Sequence, residues 1–211
     1  MKRILFRTTS ALLLLTVGLV PVYAHHGNQF LTKAMEANAA EVKIGELAQS
    51  KAQDQRVKEF AAMVVKDHTM TLDKMQMLME QRLNAKVSRA HVNWHTMQLT
   101  AMHQKTFDRL SKLSENDFDR EFIKTMISEH QNAVRDFETH ARSHGNSADN
   151  TNAANTGRQK PTPRDNAKVD YARDTDTIAF ANDTLPTLKH HLEMAQNIDK
   201  EIRGGAPITT K

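Results

Sequence analysis

The chain has 211 residues, and its 29 lysines and arginines barely exceed its 25 aspartates and glutamates. Three of the 29 basic residues lie in the first seven positions, which leaves 26 against 25 in the rest of the chain. This balance, without a cluster of basic and aromatic residues, argues against a nucleic-acid partner. Cysteine is absent, so the fold cannot rely on disulfides and the chain lacks the residue that N-terminal lipid modification requires.

The first 24 residues have the pattern of a cleavable signal peptide. Lys2, Arg3 and Arg7 form a basic region, residues 11–20 are apolar, and Ala24 follows as a small residue at the expected cleavage site. The apolar run is too short to span a bilayer comfortably, although an uncleaved anchor is the alternative. We therefore expect export to the periplasm, cleavage after Ala24, and a soluble mature protein over residues 25–211.

The mature region is rich in helix-forming residues and has only 7 glycines and 5 prolines, which predicts an all-α fold. Apolar residues recur at three- and four-residue steps, as in amphipathic helices. The predicted helices are residues 30–50, 54–83, 93–113, 117–142 and 169–203. Asn28 and Asp54 are the expected N-caps of the first two, and Ser114 with Asp117 resembles a capping box. Pro186 predicts a kink or a restart in the last helix.

Residues 144–166 are polar, low in complexity and without periodicity, which predicts a disordered loop. The segment after it holds too little chain for a second domain. Four long helices, one short extra helix and a long final crossover therefore suggest a single domain, a ferritin-like four-helix bundle.

Each long helix carries one polar residue on its apolar face: Glu41, His68, His130 and His191. A polar group buried without a partner costs a few kcal/mol, so partners are expected. Each of the four lies near the middle of its helix, and in an antiparallel bundle the middles meet. Three imidazoles and one carboxylate are suitable ligands for Zn²⁺, Fe²⁺ or Mn²⁺, and in another geometry for Cu²⁺.

Two metal-free alternatives remain open for these residues. Each histidine could be a core residue bonded to a backbone carbonyl, and Glu41 could form an ion pair with one of them. The other histidine pairs, His91 with His95 and His140 with His144, lie near helix ends, where solvated surface is the simpler interpretation. His25-His26 predicts a flexible tail with incidental metal affinity, and His190 should point outward.

Methionine raises a separate hypothesis, because thioethers suit copper(I). The second predicted helix carries a group of them: Met70, Met75, Met77 and Met79. Methionine is also a common core residue, and core packing is the preferred interpretation here.

Several segments resemble a bacterial family called domain of unknown function 4142, ferritin-like and often labelled a predicted outer membrane protein. The segments are Ala40-Glu41, residues 45–48, residues 57–61, Asp67-His68, Phe118-Asp119, His130 and residues 185–192. The resemblance covers about residues 28–203 and implies the helical bundle and the exported location. It also supports the set Glu41, His68, His130 and His191. The loop at 144–166 is longer than the family leads us to expect.

Ferritin-like di-iron sites need paired Glu-x-x-His motifs. The residues three positions before His68, His130 and His191 are Val65, Ile127 and Leu188, and none is a carboxylate. A mononuclear site is therefore the hypothesis, with Asp67 and Asp119 as outer partners that orient imidazoles.

The sequence thus predicts a periplasmic metal-binding bundle, active in metal buffering or envelope stress tolerance. A metal-free structural or interaction protein of the envelope is the alternative. A mononuclear redox enzyme, such as a dismutase, ranks last, and no catalytic residues are assigned.

Overall fold

The computed structural model describes residues 26–82, 94–142 and 163–204, and the side chains of residues 27–82, 94–142 and 174–204. The helices are α1 (His26–Lys51), α2 (Gln55–Arg82), α3 (Ala101–Ser111), α4 (Glu115–Arg142) and α5 (Pro163–Arg203), with a 3₁₀ turn at Trp94–Thr96. The prediction of an all-α helical bundle is confirmed. The signal-like residues 1–24 lie outside the described residues.

The turn between α1 and α2 is closed by two aspartates. Asp54 caps α2, since its carboxylate accepts a hydrogen bond from the Arg56 backbone N–H at 2.9 Å. Asp119 of α4 accepts the backbone N–H groups of Gln53 and Asp54, at 3.1 and 2.7 Å. The cap at Asp54 is therefore confirmed. The role expected for Asp119 is wrong, because its carboxylate satisfies backbone donors at this end of the bundle instead of orienting an imidazole.

A second polar clamp holds the opposite end of the bundle. The Arg82 guanidinium donates to Asn28 and Asp174 at 2.6 and 2.5 Å, and Asp174 also accepts the Gly27 backbone N–H at 3.2 Å. Helix α1 starts at His26, before the predicted cap, so the prediction of an Asn28 N-cap is wrong. The Asn28 side chain instead contributes to this contact between α1, α2 and α5.

The four long helices alternate in direction around the bundle. Helix α1 packs most extensively on α2, and α4 on α5. Cross-contacts link Phe30 to Phe137, and His140 to Thr177, so α4 runs antiparallel to both α1 and α5. Arg56 bonds to Glu201 near the other end, so α2 and α5 are antiparallel as well. Each long helix therefore has two antiparallel neighbours.

The long crossover lies between α2 and α4, and the prediction of a final crossover is wrong. Helix α2 ends at the Arg82 clamp, whereas α4 starts at the other end of the bundle, beside Gln53. The intervening chain must return along the bundle, and α3 lies on this path beside α1. Lysines 43 and 51 of α1 donate to the carbonyls of Met97 and Ser111. One such crossover is the connectivity of ferritin-like bundles.

The local predictions for α3, α4 and α5 need small corrections. The predicted helix 93–113 is divided by an irregular segment at 97–100, and Thr100 caps α3 by accepting the His103 backbone N–H. Helix α4 starts at Glu115, and the Asp117 carboxylate accepts from Arg120. Helix α5 starts at Pro163 and continues through Pro186 without a restart. The rest of the predicted loop, residues 144–162, lies outside the described residues.

The apolar core is divided into two clusters along the bundle axis. One is centred on Phe60, Phe118 and Phe122, near the α1–α2 turn. The other contains Leu31, Leu72 and Phe180, toward the Arg82 clamp, among other residues. The level between them is occupied by the polar residues of the candidate site.

Two further features concern the helices themselves. A Cβ atom at Gly45 would lie 2.7 Å from a methyl carbon of Val65, so this glycine allows α1 and α2 to approach closely one turn from Glu41. Within the part of the chain that the structure describes, no helix combines the length and apolar character needed to cross a membrane.

Candidate metal centre

The four predicted residues lie at one level of the bundle, between the two apolar clusters. Glu41, His68, His130 and His191 come from α1, α2, α4 and α5, and none exposes more than 5% of its surface. One nitrogen from each of the three imidazoles lies within 4.8 Å of the other two. The structure therefore brings together the three histidines that the sequence singled out.

Two of the nitrogen pairs are particularly close. His191 Nδ1 lies 3.4 Å from His68 Nε2 and 3.2 Å from His130 Nε2. The inward atoms are thus His68 Nε2, His130 Nε2 and His191 Nδ1. In a tetrahedral zinc site with Zn–N bonds of about 2.0–2.1 Å, the ligand nitrogens are about 3.3–3.4 Å apart. The separations of 3.2 and 3.4 Å are close to that spacing.

The other nitrogen of each ring faces an oxygen. His130 Nδ1 lies 2.9 Å from the Met126 carbonyl oxygen, and His191 Nε2 lies 3.0 Å from Asp67 Oδ2. His68 Nδ1 is 2.8 Å from Glu41 Oε2, although the contact is not aligned as a hydrogen bond. Such outer partners fix the tautomer and the orientation of metal-binding imidazoles.

For His130 and His191, these oxygens indicate which nitrogen of the neutral ring carries the hydrogen. Carbonyl and carboxylate oxygens only accept, so the nitrogen that faces each of them must be the N–H. A neutral imidazole has one N–H, and the inward nitrogen therefore presents a lone pair. His130 Nε2 and His191 Nδ1 thus face each other at 3.2 Å as two lone pairs, an arrangement that a cation between them would stabilise.

Glu41 lies behind the histidines and not among their inward nitrogens. Its carboxylate contacts His68 Nδ1 at 2.8 Å and His130 Nδ1 at 3.9 Å, on the outer side of both rings. The sequence hypothesis treated Glu41 as a fourth ligand, and the structure places its carboxylate on the far side of both rings from the inward nitrogens. Asp67 has the corresponding place behind His191. It belongs to α2 and precedes His68 in the sequence, but its carboxylate contacts the His191 ring of α5.

Burial and neighbouring charge shape the electrostatics of the cluster. Burial would raise the pKa of the Glu41 carboxyl, but the nearby His68 and His130 outweigh it and hold this pKa at about 2. Burial lowers the pKa of His130, and burial together with His68 lowers that of His191 to about 4. The carboxylate is therefore ionised, and His130 and His191 are neutral near pH 7.

The cluster is sealed on one side and reached by a cleft on another. The Phe60 ring, fully buried, lies 6.5 and 6.4 Å from the rings of His130 and His191. Glu41 and His68 line an open cleft of about 920 Å³ between α1 and α4, with the first turn of α3 at its rim. Sequence analysis did not single out His103 and Glu129, which also line this cleft.

The other sequence candidates have separate environments. His140 hydrogen-bonds to Thr177 at 2.9 Å and stacks on Phe30, and His190 is exposed as predicted. The side chains of His25, His26, His91 and His144 lie outside the described residues. Met75 and Met79 are buried in the core, whereas Met70 and Met77 are exposed. The methionines of α2 therefore point to different sides and do not form one copper-binding group.

Fold and site together define an all-α bundle with three buried histidines that could hold a metal ion. The chain belongs to the family described as Domain of unknown function (DUF4142), whose model matches residues 21–162. Helix α5 follows this match, so the matched region includes Glu41, His68 and His130 but not His191. No curated protein and no solved structure matches the chain significantly.

Proposed function

We propose that this protein is an exported metal-binding bundle, in which His68, His130 and His191 together hold one transition-metal ion. The observation that carries the proposal is the convergence of three buried ring nitrogens, two pairs of which are separated by 3.2 and 3.4 Å. The oxygens behind His130 and His191 favour this arrangement for a bound cation, because each accepts from the outer nitrogen and leaves the inward nitrogen free to coordinate.

A metal ion satisfies this cluster better than a proton does. Protonating His130 or His191 would place an imidazolium in a buried site, where desolvation disfavours the charged form. A divalent ion needs no imidazolium, and its charge is balanced by the carboxylates of Glu41 and Asp67. Charge balance and ligand type thus both support a divalent transition-metal ion as the occupant of the site.

Zinc fits the donor set most closely among the candidate metals. Neutral imidazoles suit Zn²⁺, Cu²⁺ and Fe²⁺, whereas Mn²⁺ favours carboxylate and water oxygens. Two of the three nitrogen separations are close to those of tetrahedral zinc, which would leave a fourth position for water or another ligand. Metal buffering or tolerance of envelope stress is the role we propose, supported by the signal-like residues 1–24 and the ligand set.

The decisive experiment compares adjacent histidines of α5. His191→Ala removes an inward nitrogen, whereas His190→Ala removes an exposed ring one position away. Isothermal titration and elemental analysis of protein purified without chelators should give one zinc per chain for the wild type and for H190A, and none for H191A. Equal zinc content in the two variants, or a metal-free wild type that binds no added metal, would reject the proposal.

The alternative is a metal-free bundle in which His68 is protonated and paired with Glu41. The 2.8 Å contact between their side chains favours this arrangement, since His68 could then donate from Nε2 to His191 Nδ1. A metal-free protein would show the same melting temperature with and without a chelator. A metal-binding protein melts higher when zinc is present.

A further inference from the structure

We propose that the cleft between α1, α3 and α4 is the passage through which the cation reaches and leaves the three-histidine cluster. This inference rests on the proposed function, because it concerns traffic to the same site. It goes further because it assigns the rate of metal exchange to the residues that line the cleft, whereas the three histidines determine the affinity for the metal.

The burial of the cluster makes a passage necessary. His130 and His191 are completely buried, and Phe60 covers them from the side of the first apolar cluster. A hydrated cation cannot cross packed aliphatic and aromatic side chains without large desolvation costs. Exchange therefore needs either a polar path or a transient opening of the bundle.

The cleft provides a path to the outer edge of the site, at Glu41 and His68. Its volume is about 920 Å³, and it runs from the surface between α1 and α4 to Glu41 and His68. A small residue, Ala37, lies on its wall in α1, on the same side of the helix as Glu41 one turn later. The half-buried position of Ala37 leaves space that a larger side chain would fill.

The charges along the cleft favour a cation. Two basic side chains, Lys33 and Arg135, and four carboxylates line the cleft. The carboxylates are Glu36, Glu41, Glu129 and Asp136. Glu129 is half-buried in the wall of the cleft, one position before His130. A cleft with an excess of negative groups concentrates cations and accelerates their association.

The rim of the cleft is formed by the crossover. Thr100 and His103 belong to the first turn of α3, where the Thr100 hydroxyl contacts His103 Nδ1 at 3.0 Å and accepts its backbone N–H at 3.3 Å. The cap thus holds the His103 ring at the mouth of the cleft. An imidazole there can bind an arriving metal transiently before the three deeper rings do.

Stopped-flow zinc loading, with release to a chelator, tests this passage. Ala37→Phe should slow both loading and release about tenfold and leave the dissociation constant within about threefold, since a narrower path raises the barrier in both directions. Ala62→Phe, on the exposed face of α2, is the matched control and should keep wild-type rates. Wild-type loading and release rates in a folded A37F protein would overturn the inference.

A charge variant keeps the test valid if A37F fails to fold. Glu129→Gln should slow loading several-fold at about 0.02 M salt and lose this effect at about 0.5 M, because salt screens the attraction. Glu193→Gln, on the exposed face of α5, is its control. Loading by transient opening of the bundle would give E129Q the wild-type rate at every salt concentration, and would overturn the inference. A wild type that binds no zinc would instead refute the proposed function.

Discussion

Replacing Glu41 with glutamine separates an orienting role from a ligand role. The Glu41 carboxylate contacts His68 Nδ1 at 2.8 Å, on the side of the ring away from the inward nitrogens. The glutamine side chain has the same shape, and its carbonyl oxygen can still contact His68 Nδ1. The change therefore removes a negative charge but keeps three inward imidazoles. We expect one zinc per chain with affinity reduced about 10–100-fold.

The expected loss corresponds to about 1.4–2.8 kcal/mol of binding free energy. Competition with a chromophoric chelator measures the affinity, and the visible spectrum of the cobalt-substituted protein reports the coordination. Glu46→Gln, on the exposed side of the same helix, is the matched control and should bind like the wild type. Loss of stoichiometric binding in E41Q, or a cobalt spectrum showing a changed ligand set, would refute the orienting role.

Three further predictions follow from the contacts around the site and the bundle ends. Asp67→Asn should weaken zinc binding about 10–100-fold without changing the stoichiometry, because it weakens the hydrogen bond behind His191; unchanged affinity in a chelator competition would contradict this. Zinc at about 100 times its dissociation constant should stabilise the wild type by about 2.7 kcal/mol, or about 5–11 °C in melting temperature, and should not shift H191A in calorimetry. Asp119→Ala should lower the free energy of unfolding by about 1–3 kcal/mol in urea and leave zinc affinity intact, whereas the exposed Asp117→Ala should change neither.

Helical periodicity was sufficient to find the three histidines. Each interrupts a run of apolar residues at core spacing, so the pattern assigns its side chain to the interior. Placement near the middle of each helix then brings the rings to one level in an antiparallel bundle. The site could be predicted because it depends on the helix face on which each residue lies and on its position along the helix. Both are local properties of a helix.

Periodicity could not assign the role of Glu41. A position on the apolar face of a helix shows that a side chain points inward, but it does not show which nitrogen of a neighbouring imidazole the side chain will contact. That choice depends on the rotation of the imidazoles, and for His130 and His191 this rotation is set by oxygens at other positions, the Met126 carbonyl and Asp67. The roles of Asn28 and Asp119 were missed for a similar reason, since their partners come from distant parts of the chain.

The apolar periodicity of the sequence also could not predict how the helices are connected in the bundle. Periodicity is the same whichever way a helix runs, so nothing in it assigned the crossover to the chain between α2 and α4. The break before α3 did leave a signal, because Thr100 is a good N-cap residue. Residues 97–100 contain neither glycine nor proline, however, and the apolar spacing continued across them.

The polar level between the two apolar clusters also limits how the helices can slide past one another. A shift of one helix by a single turn, about 5.4 Å, would move its imidazole against aliphatic side chains and leave the opposite rings facing a hydrocarbon surface. Such a shifted bundle would bury an imidazole without a partner, which costs a few kcal/mol. The three histidines and Glu41 therefore align the four long helices with one another along the bundle axis, much as a buried asparagine sets the register of a coiled coil.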